Sequence, residues 1–189
     1  MRLNNKTAIV TGGASGFGKG IVEKFIKEGA NVVIADINYD LAKKLEDSIG
    51  KNAFAIKVDV SKKNDLDNMI KQSVEHFSEV NILVQNAAIG MKPQPLLETS
   101  EELFDKLFAI NVKSVFLGAK AVIPLFKKQG KGGVILNTVS TAALRPRAGL
   151  TVYNSTKGAL IPMTKALALE GSEFKIRVNG LCPVAGETP

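Results

Sequence analysis

The stretch Thr7-Ala8-Ile9-Val10-Thr11-Gly12-Gly13-Ala14-Ser15-Gly16-Phe17-Gly18-Lys19-Gly20-Ile21-Val22-Glu23-Lys24-Phe25-Ile26-Lys27 decides the fold. It opens with a short apolar run rich in β-branched side chains, the pattern of a strand buried on both faces. Glycines follow, and from Gly16 the apolar positions recur at helical spacing, Ile21 with Phe25 and Val22 with Ile26. A strand that turns through glycines into a helix brings backbone close to a phosphate. The helix start adds unpaired N–H groups and the positive end of a dipole.

Working outward, similar apolar runs recur at Asn31 to Ala35, Ala53 to Val58, Asn81 to Val84, Gly133 to Val139 and Lys175 to Leu181. Between them lie amphipathic segments of helical length: Asp40 to Ser48, Lys63 to Phe77, Glu101 to Lys127 and Thr151 to Glu170. Repeated strand then helix predicts an α/β fold, a doubly wound parallel sheet of the Rossmann type with helices on both faces. Residues 1–189 read as one domain. Pro124 and Pro162 fall inside predicted helices and are expected to kink them.

Two phosphate-binding patterns fit the glycine turn. Gly13 through Lys19 matches the start of a nucleoside triphosphate loop, but Gly20 stands where a hydroxyl should ligate Mg²⁺. Thr11, Gly12, Gly16 and Gly18 instead fit a variant of the dinucleotide fingerprint, and Asp36 ends the second strand where an acid accepts from ribose hydroxyls. That acid repels a 2′-phosphate, so NAD is favoured over NADP.

Composition narrows the classes. The chain has 189 residues, 45% of them hydrophobic, with a formal charge of +7, one cysteine and one histidine. An internal disulfide and a multi-cysteine metal site are excluded, and no metal site is expected. Cys182, in an apolar run bounded by Pro183, reads as a small buried hydrophobe. His76 reads as solvated. The lysines are scattered among acids without interleaved aromatics, so no nucleic acid is expected as a partner. No run of about 18 apolar residues is recognised, so no membrane span is expected. Without a secretory h-region at the N-terminus, a cytoplasmic location fits.

One more pair carries chemistry. Tyr153 and Lys157 stand four residues apart in a predicted helix and so share a face. A phenol ordinarily ionises near pH ~10, and an adjacent cation favours its phenolate, which suits it to acid–base work near neutrality.

With the glycine turn and Tyr153-x-x-x-Lys157 in place, the chain resembles the short-chain dehydrogenase/reductase family from its first strand to Pro189. Asp59-Val60, Asn86-Ala87, Asn111, Ser140, Pro183 and Thr188 fall in the order that family shows. The resemblance implies an NAD(H)-dependent oxidoreductase interconverting a secondary alcohol and a ketone by hydride transfer. It implies that Tyr153 passes the proton, that Lys157 lowers the phenol pKa and binds the nicotinamide ribose, and that Ser140 donates to the developing alkoxide. Asn111 would interrupt its helix and hold a water linking Lys157 to solvent. Asp59 would accept from the adenine amino group beside Val60, or simply cap the helix starting near Ser61. Asn86 and Ala87 would line the cofactor groove, and Thr188 would hold the nicotinamide carboxamide. The implied cofactor contacts also take in Gly12, Ser15, Gly16, Phe17, Gly18, Pro183 and Val184.

The chain departs from the family at Ala88 and Val184, where glycines are usual. The family's substrate lid and final strand would follow Thr188, so the chain is expected to be shorter than the natural protein, leaving Lys175 to Leu181 as a sheet edge. The implied substrate is a small alcohol or ketone: a 3-oxoacyl or hydroxyacyl compound, a sugar or polyol, or a steroid. Arg145 and Arg147 read as a solvated rim ahead of a contact for an anionic substrate. A homodimer or homotetramer is expected, through the helices Glu101 to Lys127 and Thr151 to Glu170; Leu160, Met163 and Leu167 would face the partner or pack on the sheet. The alternative function is an NAD-binding sensor without catalysis.

Overall fold

A computed structural model describes residues 1–184, so the Thr188 expectation lies outside the described residues. Six strands form one parallel sheet: β1 (Thr7–Thr11), β2 (Asn31–Asp36), β3 (Ala53–Lys57), β4 (Ile82–Gln85), β5 (Gly133–Thr138) and β6 (Ile176–Leu181). Their order is β3-β2-β1-β4-β5-β6. The chain therefore steps one way from β1 to β3, then returns past β1 and steps the other way. At that reversal the crossovers leave β1 and β4 on opposite faces and open a crevice beyond the strand ends. The register sets Val10 against Ile34 and Val84.

Period-two alternation divides the core. Ala8, Val10, Val32 and Ile34 face α1 (Gly16–Lys27) and α2 (Tyr39–Ile49), where Val22, Phe25 and Leu45 meet them. Ile9, Val33, Leu83 and Ile135 face the other layer, α3 (Lys63–Phe77) and α5 (Ser114–Gln129), through Leu66, Met69, Val122 and Phe126. Each large aliphatic side chain so buried contributes about 1.5–3 kcal/mol. The three-layer Rossmann arrangement expected from the sequence is the observed one.

Several expectations change. The helix Glu101 to Lys127 is three pieces: α4 (Glu101–Phe108), a π-helical turn (Ala109–Lys113) and α5. One extra residue per turn there pushes Asn111 inward, where it is 1% exposed. Taken together, Glu101–Gln129 is 29 residues long and reaches a mean hydropathy of 1.5, apolar enough to cross a membrane, which corrects the expectation that no such stretch exists. Counting consecutive apolar residues missed it because Lys113 and Lys120 interrupt the run. In the fold, Leu117, Val122 and Phe126 of this helix pack on the sheet, as a core helix does. Cys182 is exposed rather than buried: it directly follows β6, the last strand in the sheet order among the described residues, where every residue but Ile176 and Val178 is exposed. Pro124 and Pro162 sit inside α5 and α6 (Thr151–Gly171), and both helices continue through them. Leu160 is buried against Val115 and Val139, Met163 packs on the same cluster, and Leu167 packs on the sheet core.

Candidate active site

A cavity of about 770 Å³ occupies the crevice at the strand ends. Its first end is built from backbone. Gly12 has φ +62°, and a Cβ there would lie 2.9 Å from Ala87 Cα. A Cβ on Gly18 would meet the Gly12 carbonyl oxygen at 1.9 Å and Asn86 Nδ2 at 2.8 Å. Only glycine lets α1 start this close to the turn. Gly18 thus shapes the cradle from behind, Gly16 turns the chain into α1 with φ +51°, and Gly12, Ser15 and Phe17 line the cavity. Ser15 caps α1 with extended backbone and makes no side-chain capping bond, so its hydroxyl remains available.

Two side chains lock this turn, and one of them the sequence did not single out for a role. The buried Thr11 hydroxyl donates to the Val84 carbonyl at 3.3 Å and accepts from the backbone N–H groups of Asn86 and Ala87 at 3.0 and 3.1 Å. Asn86 returns the contact, its Nδ2 donating to the carbonyls of Thr11 and Gly12 at 3.1 and 3.2 Å. Asn86 and Ala87 line the cavity, as expected of groove residues.

Asp36 ends β2 with both carboxylate oxygens engaged. Oδ2 accepts from the Ala14 N–H and Oδ1 from the Asn38 N–H, each at 3.0 Å. Asp59 and Val60 line the same end. Asp59 Oδ1 accepts from the Ser61 hydroxyl and N–H at 2.6 and 3.0 Å, and the Ser61 hydroxyl above all holds its carboxyl below the usual range. Asp59 thus closes a turn onto Ser61 and does not cap the helix: α3 starts at Lys63 with Lys62 at its N-cap and no side-chain capping bond.

The far end is built from side chains. Ser140, Tyr153 and Lys157 all face the cavity, on the exit of β5 and the first turns of α6. Ser140 Oγ accepts from the Ala142 N–H at 3.1 Å, which leaves its proton free to be donated. Lys157 is 3% exposed; its Nζ donates to the Thr138 carbonyl at 2.8 Å and lies 6.0 Å from the Tyr153 ring centroid. Burial pulls its pKa down from 10.5 to about 8. Pro183 and Val184 reach the cavity because β5 and β6 stay tied past their ends: Val139 N–H donates to the Leu181 carbonyl at 2.7 Å and Thr141 N–H to the Pro183 carbonyl at 3.1 Å.

Asn111 stands apart from the other three. Its Oδ1 accepts from the Ile89 N–H, and its Nδ2 donates to the Ile89 carbonyl and the Thr156 hydroxyl. The side chain therefore braces the Ile89 wall and α6, and it does not line the cavity. The expected water relay through Asn111 finds its side chain already engaged at both ends.

Behind the site lies a buried chain of amides that the sequence did not disclose. Gln85 Nε2 donates to the Asn137 side-chain oxygen and to the Val115 carbonyl, both at 3.1 Å, while Asn137 Nδ2 donates to the Thr164 hydroxyl at 2.9 Å. It ties β4, β5, α5 and α6 together one residue from the carbonyl that holds Lys157. Among the described residues no group of three His, Cys, Asp or Glu is placed to hold a metal ion. Ala88 has no positive φ, so its departure from glycine costs no backbone strain.

The glycine cradle, which any Cβ would fill, and the elongated cavity with Asp36 at one end fit a dinucleotide. Comparison with known proteins agrees. Residues 6–189 match the family model of short chain dehydrogenases. The chain is 38% identical over 192 residues to a 4-formylbenzenesulfonate dehydrogenase of Comamonas testosteroni, covering 100% of this chain and 76% of that protein. It is 35% identical over 184 residues to 3beta-hydroxysteroid dehydrogenase 2 of Eggerthella lenta, covering 96% of this chain and 71% of that protein. Among solved structures, a 3-ketoacyl-(acyl-carrier-protein) reductase from Brucella melitensis complexed with NADH superimposes with a TM-score of 0.97 at 45% identity, over 99% of this chain and 78% of that one. The chain therefore belongs to the short-chain dehydrogenase family and is a nicotinamide-dinucleotide-dependent oxidoreductase that interconverts alcohols and ketones.

Proposed function

We propose that the chain works with NAD(H) in preference to NADP(H), and that Tyr153, Lys157 and Ser140 carry its chemistry. The observation behind this is one cavity with the glycine cradle and Asp36 at one end and all three side chains at the other. When bound, the dinucleotide supplies a site that accepts or gives a hydride. In the reducing direction the Tyr153 phenol hands its proton to the carbonyl oxygen, and in the oxidising direction it takes that proton back. Ser140 steadies the oxygen charge with its free hydroxyl proton, a preorganised donor in a partly enclosed site. Lys157, anchored by the Thr138 carbonyl, keeps a cation near the phenol below about pH 8. Asp36 supports the NAD preference because a carboxylate already fixed by two backbone N–H groups cannot turn aside for a 2′-phosphate.

Calorimetric titration with NADH, NADPH and ATP tests the cofactor. NADH is expected to bind at least ~10-fold more tightly than NADPH, a gap of about 1.4 kcal/mol, and ATP far more weakly than either. Equal affinities would remove Asp36 as the selector, and tighter ATP binding would return the glycine turn to the triphosphate reading. A panel of secondary alcohols with NAD then separates an enzyme from a binding protein without catalysis.

We place the protein in the cytoplasm as a homodimer or homotetramer. Phe104 and Phe116, 44% and 51% exposed on α4 and α5, support a contact through that layer. Light scattering during gel filtration reads the mass, and a monomer at micromolar concentration would reject this assembly.

A further inference from the structure

Charge is laid out unevenly along the cavity. Its acidic lining residues, Asp36 and Asp59, both stand at the end flanked by Ile37, Val58 and Val60. Beyond Tyr153 the lining is apolar, with Met91, Ile110 and Leu150, and is punctuated by two cations, Lys106 and Arg147. Among the described residues no acidic side chain lines that end.

The sequence alone favoured a solvated rim for Arg147, and both Arg147 and Lys106 are exposed; both also line the cavity, and three further features bear on what they do there. Some surface lysines of this chain are neutralised one helical turn away, as in Lys24–Glu28, Lys43–Asp47, Lys63–Asp67 and Lys71–Glu75. Lys106 has Glu102 one turn back, yet Glu102 is drawn to Ser100 at the start of α4, which holds its carboxyl below the usual range. Among the described residues neither Lys106 nor Arg147 joins an ion pair.

The backbone of Arg147 is also fixed. Its carbonyl accepts from Asn154 Nδ2 at 2.8 Å and from the Leu150 N–H at 3.3 Å, and Asn154 directly follows Tyr153 on α6. The same loop is tied to the facing wall, where the Gln94 N–H donates to the Gly149 carbonyl at 3.0 Å. Gly149 makes this possible with φ +78°, its Cα so near Pro93 that an added Cβ would lie 3.2 Å from the proline ring. On the other side Lys106 precedes Leu107, which is wholly buried and anchors α4. Two cations without an ion-pair partner among the described residues therefore stand on anchored elements that line the same cavity as Tyr153.

We infer that Lys106 and Arg147 select the substrate class: alcohols and ketones carrying an anionic group, a carboxylate, sulfonate or phosphate, at the end remote from the reacting carbon. This rests on the reading of Tyr153 as the proton donor, since that fixes which end of the cavity takes substrate. Arg147 offers paired N–H donors suited to a planar carboxylate, and Lys106 adds a point charge. Met91, Ile110 and Leu150 of the same lining offer apolar surface to the connecting carbons of the substrate.

The test uses the NADH-bound protein and two matched ketone pairs, acetoacetate with acetoacetamide and 4-acetylbenzoate with 4-acetylbenzamide, titrated calorimetrically. At least one acid is expected to bind ~10-fold or more tightly than its amide, and the advantage should shrink as salt rises from about 0.02 to 0.3 M. In the double variant Lys106→Gln/Arg147→Gln the acid and its amide should bind alike, and Arg147→Glu should reverse the preference. An acid preference that survives in the double variant, or amides that bind as well as acids to the unaltered protein, overturns the assignment. These outcomes are distinct from failure of the functional reading: absence of NADH binding to the unaltered protein, measured first, strikes the cofactor site and the substrate assignment together. Normal NADH binding with no acid preference strikes only Lys106 and Arg147.

Discussion

In β1 all five residues are buried, and in β2 the four central residues of six are; in β6 only Ile176 and Val178 are. The cavity ends differ in the same way. At the β1–β2 end the ligand surface is backbone, glycines closed to any Cβ and N–H groups fixed by Thr11 and Asp36. At the β5–β6 end it is side chains, Ser140, Tyr153 and Lys157, held by buried polar bonds behind them. A phosphate asks for close approach and many donors, which main chain supplies. Proton transfer asks for titratable groups at set positions, which only side chains supply.

If that division is right, substitutions at the two ends should fail in different ways. The largest effect on cofactor binding belongs to Gly18→Ala: with the new Cβ driven against the Gly12 carbonyl oxygen, NADH affinity should fall by more than ~100-fold, and the strain should cost about 1–3 kcal/mol of stability in urea. Affinity within a few-fold of the unaltered protein would show that the turn adapts and that the backbone cradle is not rigid.

Next comes Lys157. Unfolded, its ammonium keeps the proton until about pH 10.5, whereas folded it releases it near 8. Between those values the unfolded chain binds more protons, so this residue's contribution to stability rises with pH and is lost as pH falls through about 8. Lys157→Met removes the dependence. The stability difference between variant and parent, from urea melts at pH 7 and pH 10.5, should narrow by roughly 3 kcal/mol. Parallel curves would mean that the ammonium is not held away from water.

Asn137→Ala follows, because it leaves the Gln85 amide and the Thr164 hydroxyl without their partner in the core. About 2 kcal/mol of stability should be lost, with NADH affinity nearly unchanged; a matching loss of NADH affinity would blur the boundary between the two ends. Smallest is Asp36→Ala, expected to shift the NADH to NADPH preference by about 10-fold, or 1.4 kcal/mol, without altering turnover at saturating cofactor. An unchanged preference would remove Asp36 from cofactor selection.

How much of this was legible in the sequence follows the same division. β1, α1 and the glycine turn were readable because strand, helix and turn signals are local and agree along the chain. The start of α3 at Lys63 and the end of α1 at Lys27 fall where periodicity put them. Tyr153 and Lys157 were readable because a helix fixes their shared face. The π-helical turn around Asn111 was not, since one extra residue in a turn leaves the apolar period almost intact. Cys182 was misread because its apolar neighbours suggest burial, whereas burial there depends on what lies beside an edge strand. The Gln85–Asn137–Thr164 chain joins residues 27 and 52 positions apart, and no local pattern announces such a pairing. Lys106 and Arg147 look like any surface cations until the folded chain places both on the lining of the cavity that Tyr153 faces.

The most direct test of the account is Tyr153→Phe, which removes one oxygen from the far end and nothing from the cradle. Turnover of a secondary alcohol should fall by about 10²–10⁴-fold while the dissociation constant for NADH stays within about threefold, a change below 0.7 kcal/mol. Turnover that persists, or NADH affinity that collapses with it, would contradict both the role given to this phenol and the separation of the two ends.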